Sequence, residues 1–200
     1  MRQALAAAAQ RSAGAIPTAE PFTRTIRRRV PAPPLRVGIA CDVSGSMQKF
    51  TGPVASAAWI LARAAAMIPA ATTATVTFGE HVRPVTRPGH TPAGVAEFAA
   101  LDGEHKIGEA IDALDGALDL SRPGTARLLV IVSDACFRHG DTTDAKQRIT
   151  ALTASGCGVV WITPPARESW PATCAHVTVL TNPAATVGAI AAAATRALTT

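Results

Sequence analysis

Two nearly unbroken apolar runs, each ending on an aspartate, constrain the fold of this chain more than any other feature. Leu35-Arg36-Val37-Gly38-Ile39-Ala40-Cys41 stops at Asp42, and Arg127-Leu128-Leu129-Val130-Ile131-Val132 stops at Ser133-Asp134. Strands of this kind are buried on both faces, which happens in parallel sheets covered by helices. Neighbouring strands lie about 4.8 Å apart. If these two are adjacent and parallel, Asp42 and Asp134 meet at the same end of the sheet.

The rest of the chain supports that architecture. Val54, Ala58, Leu61, Ala65 and Ile68 recur at helical spacing, so residues 53–68 read as a helix. Residues 74–78 read as a strand, and Gly79-Glu80 turn into a short strand over 81–85, a hairpin. Prolines and glycines dominate residues 86–104, where a loop with a short helix near 95–99 is expected. Residues 106–120 form an amphipathic helix with Glu109, Asp112, Asp115 and Asp119 as its wet face. A strand at 127–133, a helix at 142–154, strands at 158–163 and 176–180, and a helix at 184–198 complete the series. Alternating strands and helices with right-handed crossovers predict an α/β, doubly wound, Rossmann-like sheet. It is mostly parallel, with one antiparallel edge strand and helices on both faces. Ligands of such folds bind beyond the carboxyl ends of the strands, where the winding reverses.

Residues 1–34 differ in character and read as a basic, Pro-rich arm or linker, leaving 35–200 as the domain. Seven arginines and one acid lie within residues 1–36, so the net charge of +5 belongs to the front and not to the body. Arg24-Thr25-Ile26-Arg27-Arg28-Arg29 reads as a solvated basic arm. Aromatic residues make up 4% of the chain, with no Tyr, so platforms for stacking bases are scarce and nucleic acid is not the expected partner. No apolar stretch reaches the length of a membrane span. The Ala-rich start is too short and too weakly hydrophobic for a secretory signal. Cys41, Cys136, Cys157 and Cys174 form no Cys-x-x-Cys pair or zinc spacing, which fits a reducing cytoplasm.

The chemistry-bearing segment is Asp42-Val43-Ser44-Gly45-Ser46-Met47. One carboxylate and two hydroxyls within five residues are hard oxygen donors of the kind that suits Mg²⁺ or Mn²⁺. Asp-x-Ser-x-Ser after the first strand, with a later strand-end aspartate, resembles the von Willebrand factor A (VWA) domain family over residues 35 to about 198. The resemblance implies a metal-ion-dependent adhesion site. Ser44 and Ser46 would bind the ion directly, and Asp42 and Asp134 directly or through water. A partner protein would complete it with an acidic side chain. The chain departs from the family where a Thr is usual. His105, in Glu104-His105-Lys106-Ile107-Gly108, stands there, and Thr91 is a substitute only if its loop folds back. Imidazole suits softer metals, so His105 retunes the site, binds through water or ends metal binding.

The remaining motifs are weaker. Phosphate-binding Gly-rich loops and a hydrolase elbow are missing. A phosphatase nucleophile at Asp42 would want a second aspartate where Ser44 stands, and no general base is identifiable, so an enzyme is not expected. The expected function is a metal-dependent protein-binding module. Family analogy leans toward a cytoplasmic adaptor of a MoxR-type AAA+ ATPase or a chelatase-like system. The rival reading is a metal-free scaffold with a degenerate site.

Overall fold

Strand residues that alternate in direction feed two separate core layers, and this fixes the architecture. The computed structural model describes residues 2–18, 34–165 and 170–180, together with positions 188, 192 and 195. The chain divides into two compact units, Met1–Ala32 and Pro33–Thr200. In the first, the Ala-rich stretch forms helix α1 (Arg2–Ser12). The second holds β1 (Leu35–Asp42), α2 (Thr51–Ala66), β2 (Ala71–Phe78), β3 (Arg83–Thr86), α3 (Ile107–Leu118), β4 (Ala126–Val132), α4 (His139–Ala154), β5 (Gly158–Thr163) and β6 (His176–Val179). Short 3₁₀ turns span Gly45–Phe50 and Trp170–Thr173.

The sheet runs β3-β2-β1-β4-β5-β6. Every pair is parallel except β2 with β3. This is the mostly parallel, doubly wound sheet that the apolar runs predict, with β3 as the antiparallel edge. The winding reverses between β1 and β4, so the crevice of such a fold opens where Asp42 and Asp134 lie. On one face, Val54, Ala58, Leu61 and Ala65 of α2 pack with Val37 and Ile39 of β1 and with Leu128 and Val130 of β4. On the other, Ile107, Ile111 and Leu114 of α3 and Ile149 of α4 pack with Ala40, Leu129, Ile131 and Trp161. The period-two alternation of the strands makes both layers at once. Gly38 lets α3 come close: a methyl there would lie 3.1 Å from Leu120 Cδ1 and 3.3 Å from Leu114 Cβ.

Several expectations need correction. No helix forms near 95–99. Residues 87–106 are irregular, because Pro88, Gly89, Pro92 and Gly94 break any helical run, and Phe98 and Ala100 anchor the segment by burial instead. α2 ends at Ala66, so Ile68 falls outside it and is 45% exposed. α4 begins at His139, ahead of the expected start. The acids of α3 do more than face water. Asp112 accepts from Arg148 Nε and a terminal nitrogen, both at 2.8 Å, linking α3 to α4, while Asp119 pairs with Arg36 at 2.7 Å. The expected helix at 184–198 falls outside the described residues except for three positions. All four cysteines are free.

Candidate metal site

β1 and β4 are parallel neighbours with Cys41 opposite Val132, so Asp42 emerges level with Ser133 at the carboxyl end of the sheet. The strand ends are tied down by the backbone: Val43 N–H donates to Phe78 O at 2.9 Å and Ser133 N–H to Ile162 O at 3.0 Å. Asp42 is 1% exposed. Its Oδ1 accepts from Ser44 N–H at 2.8 Å and its Oδ2 from Ser133 Oγ–H at 2.5 Å. Burial raises its pKa above the ordinary value of 3.8, against the opposing pull of the Ser133 and Ser44 hydrogen bonds and the charge of His105.

The hydroxyls are arranged beside this carboxylate. Ser44 is buried, Ser46 is exposed, and their Oγ atoms lie 3.1 Å apart. Asp134 follows Ser133, and its Oδ1 accepts Cys136 N–H at 3.0 Å, a local turn that holds the carboxylate at the strand end. Ala135 then takes a left-handed φ of 62°. Ser133, singled out by the sequence only as the neighbour of Asp134, is the hinge of the arrangement. Its Oγ also accepts Ala135 N–H at 3.0 Å, and its carbonyl accepts Trp161 Nε1–H at 2.9 Å.

The sequence also gives no sign of Asp102. Residue 102 pairs with Ser44 as an isolated bridge: Gly45 N–H donates to Asp102 O at 2.9 Å and Asp102 N–H to Val43 O at 3.4 Å. Its Oδ2 accepts Glu80 N–H at 3.0 Å. A side chain at Gly79 would lie 2.5 Å from Asp102 Cβ and Oδ2, so glycine is needed for this close approach. The segment continues through Lys106 N–H to Gly79 O at 3.0 Å. It carries His105, half-buried, with its ring 5.0 Å from Phe137. The His105 Nδ1 is buried and has no hydrogen-bond partner among the described residues. Thr91 is exposed farther back in the same irregular segment.

The donor set can be compared with a hard cation. At Mg–O distances of 2.0–2.1 Å, adjacent corners of an octahedron lie about 2.9 Å apart. The Ser44–Ser46 separation of 3.1 Å suits two such corners. A buried carboxylate next to them, with no salt bridge to a cationic side chain among the described residues, suits the charge. Among the described residues, no three His, Cys, Asp or Glu side chains gather closely enough to hold an ion by themselves. A cation here would rely on the Ser44 and Ser46 hydroxyls, the strand-end carboxylates and water, a hard-oxygen donor set of the kind Mg²⁺ takes.

Residues 1–197 match the family model for the VWA domain containing CoxE-like protein. The chain belongs to this VWA family. Solved structures share the fold. The protein BatB from Bacteroides thetaiotaomicron matches with a TM-score of 0.58 and 14% identity, covering 83% of this chain and 100% of that one. The SpRpn10 VWA domain matches at 0.56 and 12%, covering 77% and 94%. The manganese-loaded TRAP protein of Plasmodium vivax matches at 0.54 and 14%, covering 67% and 58%. No curated protein matches the chain significantly. This VWA domain contains no helix, among its described residues, long and apolar enough to cross a membrane.

Proposed function

We propose that this VWA domain is a metal-dependent protein-binding module. Ser44, Ser46, Asp42 and Asp134 would hold Mg²⁺ or Mn²⁺, with Asp42 and Asp134 acting directly or through water. When bound, the cation supplies an electrophilic position open to a carboxylate from a partner protein. Ser44 and Ser46 offer neutral oxygens, which leave that electrophilic character intact. Ser133 and the Ser44 amide fix the Asp42 carboxylate so that it does not swing away. His105, in the position where the family has Thr, retunes the site, binds through water or ends metal binding, and Thr91 is a substitute ligand only if its loop folds back. The observation that carries the reading is the hydroxyl pair at 3.1 Å beside a buried carboxylate. We read the role as binding, not catalysis. The partner class that family analogy favours is a MoxR-type AAA+ ATPase or chelatase-like assembly in the cytoplasm.

Calorimetric titration with Mg²⁺ and with Mn²⁺ tests it. The wild type is expected to give saturable heat that Ser46→Ala weakens and Asp42→Ala removes. Equal heats from all three proteins would end the metal assignment. One observation favours a second reading, a metal-free scaffold: both Asp42 oxygens already accept hydrogen bonds from the chain. Partner capture that survives excess chelator and Asp134→Ala would establish that reading instead.

A further inference from the structure

Away from the Asp42 site, the irregular segment 92–98 crosses over α2 and the end of β3. Beneath it is a cavity of about 20 Å³, lined by Ala55 and Trp59 of α2, Thr86 of β3, and Pro92, Gly94 and Phe98 of the segment. Two of the lining residues each carry a buried polar atom without a hydrogen-bond partner among the described residues: Trp59 Nε1 and Thr86 Oγ1. Chance orphans would not be expected to share one cavity, because buried polar groups are almost always bonded. The β2–β3 ladder explains the hydroxyl. Its register shifts between Thr75 and Val76, opposite Thr86, and such a bulge re-aims side chains and interrupts pairing.

The size of the cavity and the chemistry of its walls select the ligand. One water needs roughly 10–15 Å³ and two to four polar partners. The cavity has room for one and for nothing larger. An indole N–H only donates, while a hydroxyl donates or accepts. Water satisfies both groups, accepting from Trp59 and exchanging a hydrogen bond with Thr86. We propose that this cavity is a binding site for one structural water that fastens residues 92–98 to α2 and β3. The fastening matters to the candidate metal site because the same stretch of chain leads into Asp102, whose backbone holds Val43 and Gly45.

A crystal structure of the full chain at better than about 1.5 Å, with NMR of the indole protons, tests this. The expected result is one density peak about 2.7–3.2 Å from both Trp59 Nε1 and Thr86 Oγ1, and a nuclear Overhauser effect from a long-lived water to the Trp59 indole proton. Thr86→Ser keeps the hydroxyl and should keep that effect; Thr86→Val should abolish it and lower the melting midpoint by a few degrees. A cavity without density would overturn the proposal. So would a direct Trp59–Thr86 hydrogen bond, or a Thr86→Val protein that melts at or above the wild type, as it should if a dry cavity held an orphan hydroxyl.

Discussion

Asp42 shows how one side chain reconciles burial with charge. Its folded pKa lies above the ordinary range because burial penalises the anion more than its hydrogen bonds and the His105 charge favour it. A raised carboxyl pKa contributes stability at low pH, and that contribution is lost as pH rises through the folded value. At neutral pH and without metal, the buried carboxyl therefore costs stability. Asp42→Asn removes the titrating group and keeps the size, and the Ser133 hydroxyl can rotate to bond the amide. The metal-free variant is expected to be more stable than the wild type at pH 7 by on the order of 1 kcal/mol, which is about 2–4 °C in a domain of this size. The gap should close as the pH falls below 3.8 to about 2.5, where the wild-type carboxyl is protonated in both states. Thermal melts of both proteins across that pH range check it, and a variant that melts lower than wild type at pH 7 would contradict the argument. The site was only half legible at this scale. Asp42, Ser44, Ser46 and Asp134 stand at strand ends that apolar periodicity marks. Ser133 acquires its role from the register of β1 against β4, and Asp102 from the path of an irregular segment. Local pattern specifies neither.

Elements obey pattern where their residues repeat and depart from it where the chain must turn. The turn between α2 and β2 illustrates this. Ala70 has a φ of 64° and is exposed, while Ala135, after β4, has a φ of 62° and is buried. The left-handed region costs a non-glycine residue about 1–2 kcal/mol. Ala70→Gly relieves that cost and loses no packing, though glycine gives back part of the gain through the entropy of the unfolded chain. The expected result is a rise of about 2 °C. Ala135→Gly also removes a methyl from the α3–α4 layer, worth about 0.8 kcal/mol, so it should leave the midpoint nearly unchanged. Differential scanning calorimetry of the two variants separates the effects, and equal shifts would show that the buried Ala135 methyl contributes no packing. The strands and α3 were legible because period-two and helical spacing survive in single stretches. The lengthened β2, the early start of α4 and the missing helix at 95–99 were not, because tertiary contacts decide where those elements begin and whether they form.

At the scale of the whole molecule, the question is whether occupancy at the sheet's rim stabilises both core layers. The chain carries its own reporters. Cys41 lies in the layer under α2, and Cys157 lies in the layer under α3 and α4. Both are buried, and burial pushes the Cys157 thiol up to about 12 and the Cys41 thiol higher still. At pH 8 both thiols stay protonated in the folded chain, so neither reacts until the structure opens. Exposed Cys136 can be blocked first. A ligand that binds only the folded state suppresses global opening by the factor 1 + [L]/Kd. With Mg²⁺ at about one hundred times its dissociation constant, alkylation of both cysteines should slow about 100-fold if the sheet and its two layers open as one unit. Mass spectrometry of the two labelled peptides with time measures this. If Cys41 alone slowed, the layer bearing α2 would open independently of the other, and a cation at the rim would secure only half of the domain. The shared strands β1 and β4 argue for the first outcome, because each contributes alternate residues to both layers, and neither layer can separate without exposing the other's side of the same strands.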